Sequence, residues 1–213
     1  MYMRSFVLFV CVLLGAMAQA WAQGGNAELY DAAVPADSGF VRVLNASRQP
    51  VMVTLSGKRQ PQRVAAMQFG GYRYTQPGHY RLEVEGASIE LDIRANMATT
   101  VLYHQGQLQG LDDQLVLDLK RAQLNFYNLA MSALSLKTSG GKSEVIAAVA
   151  PKTNGHRMVN ELKMGFEAFD GDAAVGQFEA QLLRKGRSYS FAVIEDEQGK
   201  NSISHVSFVD KAE

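Results

Sequence analysis

Apolar and polar residues alternate in two short runs near the start of the chain. Val41 and Val43 alternate with other residue types, and residues 51–55, Val-Met-Val-Thr-Leu, resume the alternation. Residues 45–50, which end in proline, interrupt it. A period of two is typical of a half-buried β-strand, and proline with small polar residues marks a turn. The pattern predicts two strands joined by a short turn.

The same pattern returns 83 residues later without a gap. The matching pairs are Val41 with Leu124, Val43 with Phe126, Asn45 with Asn128, Val51 with Leu134, Val53 with Leu136 and Gly57 with Gly140. Self-similarity at a fixed offset is the signature of a repeated structural unit. We therefore predict an internal duplication.

Further alternating runs follow in both halves, separated by turn-forming residues such as Pro77-Gly78 and Asp170-Gly171-Asp172. These runs are residues 80–84, 89–93, 99–104, 164–168, 178–182, 189–193 and 203–209. Short strands with a turn signal about every ten residues are typical of sandwiches. The predicted fold class is all-β, with two tandem antiparallel β-sandwich domains related by internal duplication after a cleaved signal peptide.

The N-terminus has the features of a secretory signal. Arg4 precedes an apolar run at residues 6–17, and residues 18–22, Ala-Gln-Ala-Trp-Ala, offer overlapping cleavage sites. An uncleaved anchor is the alternative, but the apolar run is shorter than the roughly 20 residues that cross a bilayer. The predicted organisation is signal peptide 1–22, lead-in 23–37, domain 1 at 38–110, linker 111–121 and domain 2 at 122–213.

Composition narrows the classes of function. The single cysteine, Cys11, lies in the predicted signal peptide, so the mature chain is held by its cores without disulfides. The 21 basic and 21 acidic residues balance, which excludes the broad basic surface that binding to nucleic acid requires. Two local basic clusters, Lys58-Arg59 and residues 184–187, are interpreted as solvated hairpin turns.

A search for catalytic and metal-binding patterns finds no established motif. None of the 4 histidines, His79, His104, His156 and His205, shares the i, i+2 or i, i+4 spacing of a zinc site. There is no Gly-x-Ser-x-Gly elbow. The sequence leaves open whether a serine, a histidine and an aspartate come together in space as a catalytic triad. Asp112-Asp113 and Asp170-Gly171-Asp172 are paired carboxylates in turn-like sequence. We predict no catalytic residue, cofactor or metal.

Asn45-Ala46-Ser47 matches a glycosylation acceptor pattern. Asn45 and Asn128 occupy equivalent turn positions in the two halves, so a structural asparagine explains the repetition better.

Aromatic residues provide one candidate binding surface. Tyr72 and Tyr74 are two residues apart near Phe69 and would share a strand face, where exposed rings could stack on sugars. Tyr103 and Tyr127 could extend this surface. We name Tyr72, Tyr74 and Tyr103 as a carbohydrate or partner surface, and packing in the core is the alternative.

Several blocks resemble the AlgF family of periplasmic alginate O-acetylation proteins. They are Leu-Tyr at 29–30, Gly-Phe-Val-Arg-Val-Leu-Asn-Ala at 39–46, Pro-Gly-His-Tyr at 77–80, and Leu-Ser-Leu-Lys-Thr-Ser-Gly-Gly-Lys-Ser-Glu-Val at 134–145. The third differs from the family's Pro-x-Gly-x-Tyr turn by one residue in spacing. The blocks occur in the family's order, and they lie in both halves of the chain.

The resemblance implies a periplasmic, non-catalytic adaptor with no active-site residues to transfer. Its implied partners are a membrane-bound O-acyltransferase and SGNH-type periplasmic acetyltransferases, with the exopolysaccharide itself as a further partner. Relatives in acetylated-cellulose systems leave the polymer open between alginate and cellulose. The alternatives are a polysaccharide-binding module without catalysis and an acetyl esterase or transferase.

Overall fold

The computed structural model describes residues 34–114 and 118–208. The predicted signal peptide, Cys11, most of the lead-in, part of the predicted linker and residues 209–213 lie outside the described residues. Within the described ranges no helix has the length and apolar character needed to cross a membrane.

All regular structure in the described ranges is β-strand. The strands before residue 114 are β1 (Gly39–Asn45), β2 (Val51–Leu55), β3 (Gln62–Val64), β4 (Gln68–Phe69), β5 (Arg73–Thr75), β6 (Gly78–Val84), β7 (Ala87–Ile93), β8 (Ala98–His104) and β9 (Gln107–Asp113). The strands after residue 118 are β10 (Ala122–Leu129), β11 (Leu134–Thr138), β12 (Glu144–Val149), β13 (Thr153–Val159), β14 (Leu162–Asp170), β15 (Ala173–Leu183), β16 (Arg187–Asp196) and β17 (Gly199–Phe208).

Each half of the chain forms two sheets with the same strand order. In domain 1 the inner sheet has the order β4-β1-β8-β9, with β5 also paired to β1, and the outer sheet has the order β3-β2-β6-β7. In domain 2 the inner sheet is β13-β10-β16-β17 and the outer sheet is β12-β11-β14-β15. The all-β prediction with two duplicated domains is confirmed.

One central strand pair in each domain departs from the predicted antiparallel pattern. β1 runs parallel to β8, and β10 runs parallel to β16, whereas the remaining pairs in the described sheets are antiparallel. Parallel neighbours need a long crossover, and here the connection between the two parallel strands contains all four strands of the outer sheet. Alternation of apolar residues reports which face is buried but not the direction of the neighbouring strand.

Each domain has its own apolar core between its two sheets. Val41 and Val43 of β1 lie in the first core, and their duplicated counterparts Leu124 and Phe126 of β10 lie in the second. The predicted inward-facing residues therefore occupy the positions that the alternation indicates.

A third apolar cluster joins the two domains. It contains Leu44, Ala46, Phe69, Leu102 and Leu111 of domain 1 together with Tyr127, Ala192 and Ile194 of domain 2. The two inner sheets therefore pack face to face, and the molecule has four layers. This packing explains why all seven residues of β1 are buried: one face meets the outer sheet and the other meets domain 2.

The connection between the last strand of domain 1 and the first strand of domain 2 is shorter than the predicted linker. The predicted linker, residues 111–121, begins inside β9, which continues to Asp113, and β10 begins at Ala122. Leu111 and Asp113 are buried, so the end of β9 belongs to the folded interface between the domains.

Gly155 of β13 provides a test of how closely the sheets of domain 2 approach each other. A Cβ at this position would lie 2.7 Å from Ile146 Cγ2 and 3.0 Å from Val149 Cγ2. Because both neighbours are core side chains, Gly155→Ala should lower the free energy of unfolding by about 1–3 kcal/mol, measured by urea denaturation. Gly110→Ala is the control, since its Cβ would lie 3.7 Å from the nearest atom. Equal stability of the two variants would contradict the prediction.

Candidate functional site

A single arginine connects the two domains through a buried hydrogen-bond network. The side chain of Arg42 on β1 points away from its own core into the interface and is only 1% exposed. Its Nε donates to Thr100 Oγ1 at 2.9 Å, and its Nη2 donates to Tyr127 OH at 2.9 Å and to Ser190 Oγ at 2.8 Å. Thr100 belongs to domain 1, and the other two acceptors belong to domain 2.

Asp113, at the end of β9, accepts hydrogen bonds on both carboxyl oxygens. Oδ2 accepts from Thr100 Oγ1 at 2.5 Å and from Tyr72 OH at 2.9 Å. Oδ1 accepts from Tyr127 OH at 2.7 Å and from Asn154 Nδ2 at 3.1 Å. The hydroxyls of Thr100 and Tyr127 thus accept from the arginine and donate to the aspartate, which connects the two charges. We call Arg42, Thr100, Asp113, Tyr127 and Ser190 the Arg42 network.

Aromatic rings cover the rest of the guanidinium. The Cζ atom of Arg42 lies 4.3 Å from the ring centre of Tyr72 and 4.5 Å from that of Phe69. A guanidinium above a ring face is attracted by the ring's quadrupole, and this attraction is larger when water is excluded. The charge is therefore stabilised by rings and bridging hydroxyls.

The electrostatics keep Arg42 charged and the two buried tyrosines protonated at neutral pH. Burial by itself lowers the pKa of Arg42, but Coulomb interactions with its acidic neighbours, Tyr72 foremost, raise it above its ordinary value. Burial raises the pKa of Tyr72 and of Tyr127 well above the usual value for tyrosine. Both phenols therefore keep the protons that they donate to Asp113. The arrangement connects the domains. Its polar groups bond one another, except Arg42 Nη1, which is buried without a hydrogen-bond partner among the described residues.

An open cleft lies at one end of the domain interface. Its volume is about 310 Å³, and it is lined by Ala46, Ser47, Arg48, His104, Gln105, Asp196, Glu197 and Gln198. Three turns form it: those after β1, between β8 and β9, and between β16 and β17. Arg48 of domain 1 donates to Asp196 Oδ2 of domain 2 at 2.7 and 3.0 Å. Because both domains contribute side chains, this cleft is the concave candidate site.

The cleft brings a serine, a histidine and an aspartate together without the hydrogen bonds of a catalytic triad. Ser47 Oγ bonds to Asn45 Oδ1 at 2.8 Å, which ties the hydroxyl to its own turn. Hydrogen bonds from the Gln198 backbone N–H and from Arg48 lower the pKa of Asp196. The Nδ1 atom of His104 is buried without a hydrogen-bond partner among the described residues. A triad needs the histidine between the other two groups, and neither is bonded to it here.

The predicted aromatic surface is largely internal. Tyr72 is 3% exposed and bonded to Asp113, and Tyr103 is 9% exposed and packs in the core of domain 1. Neither can present a ring face to a sugar, so the prediction of an exposed platform is wrong for these two residues and the packing alternative holds. Tyr74 is half-buried, and the Nζ atom of Lys58 lies 4.6 Å from its ring centre.

The two equivalent asparagines have the structural role that their repetition indicates. Asn45 Nδ2 donates to Gln49 O at 2.8 Å and to Ala65 O at 3.0 Å, and Asn45 is fully buried. Asn128 Nδ2 donates to Ser132 O at 2.7 Å and to Val149 O at 2.8 Å. A glycan on Asn45 would require this turn to open, so the acceptor pattern at residues 45–47 is a chance match.

The carboxylate pairs are divided between different environments. Asp112 pairs with Arg94 at 2.9 Å on the surface, whereas Asp113 points into the domain interface. Alternation along a strand places the two on opposite faces, so they cannot flank one bond. Asp170 accepts from Ser132 Oγ at 2.6 Å in the turn between β14 and β15. Within the described ranges, no group of three or more histidine, cysteine, aspartate or glutamate side chains could hold a metal ion.

Arg42 is the residue that sequence reasoning missed, although a signal for it is present. Phe40 and Leu44 share the strand face of Arg42, so β1 is apolar on both faces around a single charge. A strand with two apolar faces is expected to be covered on both sides. The pattern indicates that domain 2 covers this strand and that the charge is paired inside.

Comparison with known proteins establishes the family. A family model described as "Alginate O-acetyl transferase AlgF" matches residues 11–190. The chain belongs to the AlgF family. The membership indicated by the blocks at residues 29–30, 39–46, 77–80 and 134–145 is thereby confirmed.

Individual AlgF proteins match along most of the chain. Two relatives named "Alginate biosynthesis protein AlgF" are each 31% identical to it. The one from Pseudomonas fluorescens aligns over 168 residues, 78% of this chain and 77% of the relative. The one from Azotobacter vinelandii aligns over 176 residues, 82% of this chain and 81% of the relative. The solved C-terminal domain of AlgF from P. aeruginosa is 27% identical and covers 41% of this chain and 99% of its own, with a TM-score of 0.39.

Proposed function

We propose that this AlgF-family chain is a non-catalytic adaptor in the O-acetylation of a secreted polysaccharide. It acts in the periplasm, between a membrane-bound O-acyltransferase and SGNH-type acetyltransferases. The names of the relatives favour alginate as the polymer, and acetylated cellulose is the alternative. One observation carries the proposal. Hydrogen bonds within the protein occupy most of the polar groups of the Arg42 network and of the cleft, so few are left to bind or activate a substrate.

The arrangement of the domains supports the adaptor role. Two sandwiches whose inner sheets pack face to face form one body, because the interface holds both an apolar cluster and the buried Arg42 network. Preorganised surfaces bind with a smaller entropic cost than surfaces that must first be brought into position. A partner on domain 1 and a partner on domain 2 would therefore be held at a fixed separation.

Catalysis at the cleft is the second candidate function. Ser47, His104 and Asp196 line it, and the description of the family model names a transferase. A direct polysaccharide-binding role has less support, because Tyr72 and Tyr103 are buried.

Complementation distinguishes the adaptor from the enzyme. In a strain that lacks the chromosomal gene, Ser47→Ala, His104→Ala and Asp196→Asn should each restore the acetyl content of the polymer to the wild-type level. Removing the serine or histidine of a triad lowers the rate by a factor of about 10⁶. Loss of acetylation in Ser47→Ala or His104→Ala, at a normal level of periplasmic protein, would instead establish catalysis at the cleft.

The adaptor role has a direct test of its own. Immobilised wild-type protein should retain the purified SGNH-type acetyltransferase of the same organism, with an empty resin as the control. The membrane-bound acyltransferase is applied to the same resin. Failure to retain either of the two enzymes would contradict the adaptor role.

A further inference from the structure

One segment of domain 1 is basic in an otherwise balanced chain. Residues 57–78 contain Lys58, Arg59, Arg63 and Arg73 and no aspartate or glutamate. The whole sequence has 21 basic and 21 acidic residues, so this segment is a local excess of positive charge. Two of its cations stand next to each other in the turn that follows β2.

The turn is held in place by its backbone conformation and by two hydrogen bonds. Gly57 adopts a positive φ of 78°, and the Lys58 N–H donates to Leu55 O at 3.0 Å. Arg73 Nη2 of β5 donates to Gln60 O at 2.8 Å. We call residues 58–60, with Arg73 and Tyr74 beside them, the basic turn. Its backbone is positioned before any partner binds.

The cations of the basic turn are not paired with carboxylates in the described part of the chain. Arg59 is exposed, and Lys58 lies over the ring of Tyr74. Within residues 34–114 and 118–208 no ion pair joins a carboxylate to Lys58, Arg59 or Arg73. By contrast Arg81 of the nearby strand β6 is paired with Glu83 at 3.1 Å. The basic turn therefore presents uncompensated positive charge beside a half-buried aromatic ring.

We propose that the basic turn is a docking site for an aspartate- and glutamate-bearing face of the periplasmic acetyltransferase partner. The inference rests on the proposed adaptor function and specifies which surface performs it. Arginine and tyrosine are enriched among the residues that dominate protein–protein interfaces. Complementary charge accelerates association and selects the partner, and a rigid turn has little entropy to lose.

A protein partner fits the basic turn better than an acidic polymer. Binding to a polyanion depends on many cations that follow the polymer chain. Here the cations of the segment are few: Arg59 in the turn and Arg63 on β3 are exposed, and Lys58 is half-buried. A compact carboxylate cluster on a folded protein matches this extent.

The test compares two charge reversals in the full mature chain. Lys58→Glu with Arg59→Glu reverses the two adjacent positive charges of the basic turn. Arg184→Glu with Lys185→Glu is the matched control, because these are likewise two adjacent cations in a turn between strands, in domain 2. Binding to the purified SGNH-type acetyltransferase is measured by calorimetry at low and high salt, and thermal unfolding verifies that both variants are folded. An oligomer of mannuronic acid is titrated in parallel.

We expect the Lys58/Arg59 variant to bind the acetyltransferase about 10-fold or more weakly, and the Arg184/Lys185 variant to bind like the wild type. High salt should weaken the wild type more than the Lys58/Arg59 variant. Equal binding by both variants would overturn the docking site and leave the adaptor role intact. No binding by the wild type would overturn the docking site, and failure to bind the membrane-bound acyltransferase as well would overturn the adaptor role. If the Lys58/Arg59 variant differs from the wild type only in its binding of the mannuronic acid oligomer, the surface binds the polymer and the proposal is wrong.

Discussion

Arg42→Ala is expected to destabilise the protein by about 3–5 kcal/mol, the cost of removing one partner from a buried charged network. The substitution leaves Asp113 buried without a compensating cation, and Ser190 loses the guanidinium donor that it bonds at 2.8 Å. The ring contacts with Phe69 and Tyr72 are lost as well. For a chain of this size, the melting temperature should fall by about 10 °C, measured by circular dichroism.

A second arginine at the same interface provides the matched control. Arg48 also bonds across the domains, to Asp196 at 2.7 Å, but its side chain is 46% exposed. Exposed ion pairs contribute little because solvent screens them, so Arg48→Ala should leave the melting temperature nearly unchanged. Arg42→Lys should fall between wild type and Arg42→Ala, because it keeps the charge and loses the guanidinium fork. Equal melting temperatures for Arg42→Ala and Arg48→Ala would show that burial of the network contributes nothing.

The contrast between Arg42 and its neighbours shows what alternation can and cannot predict. Val41 and Val43 are inward-facing in the sequence pattern and are in the core of domain 1. The pattern assigns Arg42 to the opposite face, and the structure places it there. Whether that face meets water or another sheet depends on the second domain. The alternation of Val41 and Val43 does not show it, and only the apolar residues Phe40 and Leu44 beside Arg42 indicate that this face is covered.

The interface also explains why the predicted linker overlaps the end of β9. Asp112-Asp113 has the composition of a loop, since aspartate is common in turns. Asp113 nevertheless ends β9, where Tyr72, Thr100 and Tyr127 donate to its carboxylate. A buried carboxylate is stable only where donors from distant segments converge on it, and a local pattern does not reveal those donors.

Duplication, in contrast, was a reliable guide to the turns. Asn45 and Asn128 were paired by their offset alone, and each bridges its own turn to a second backbone segment. Both turns need a side-chain amide that bonds backbone carbonyls. The repetition of asparagine at the two positions therefore indicates a structural role that one turn alone would not identify. The proposed docking site has no such repetition: Lys58 corresponds to Gly141 in the second half, so the duplication does not indicate the basic turn.

Asn128→Asp is expected to destabilise domain 2 by about 4 kcal/mol at pH 7. Asn128 is fully buried, and its Nδ2 donates to the carbonyls of Ser132 and Val149 at 2.7 and 2.8 Å. Aspartate has almost the same shape, but its carboxylate would face both carbonyls without a proton to donate. Each buried acceptor left unpaired costs about 1–3 kcal/mol, and the buried charge adds to this. The free energy of unfolding is measured by urea denaturation.

The pH dependence of Asn128→Asp separates lost hydrogen bonds from lost packing. A buried carboxylate beside two carbonyls has its pKa raised above the unfolded value of about 3.9, so folding favours the protonated form. The difference in stability from wild type should therefore be greatest at neutral pH and should narrow as the pH falls towards 4. Asn160→Asp, at an exposed turn position, should leave stability nearly unchanged across the same range. If the loss of stability in Asn128→Asp does not vary with pH, its cause is altered packing. If Asn128→Asp loses no more stability than Asn160→Asp, the structural role of the repeated asparagine is contradicted.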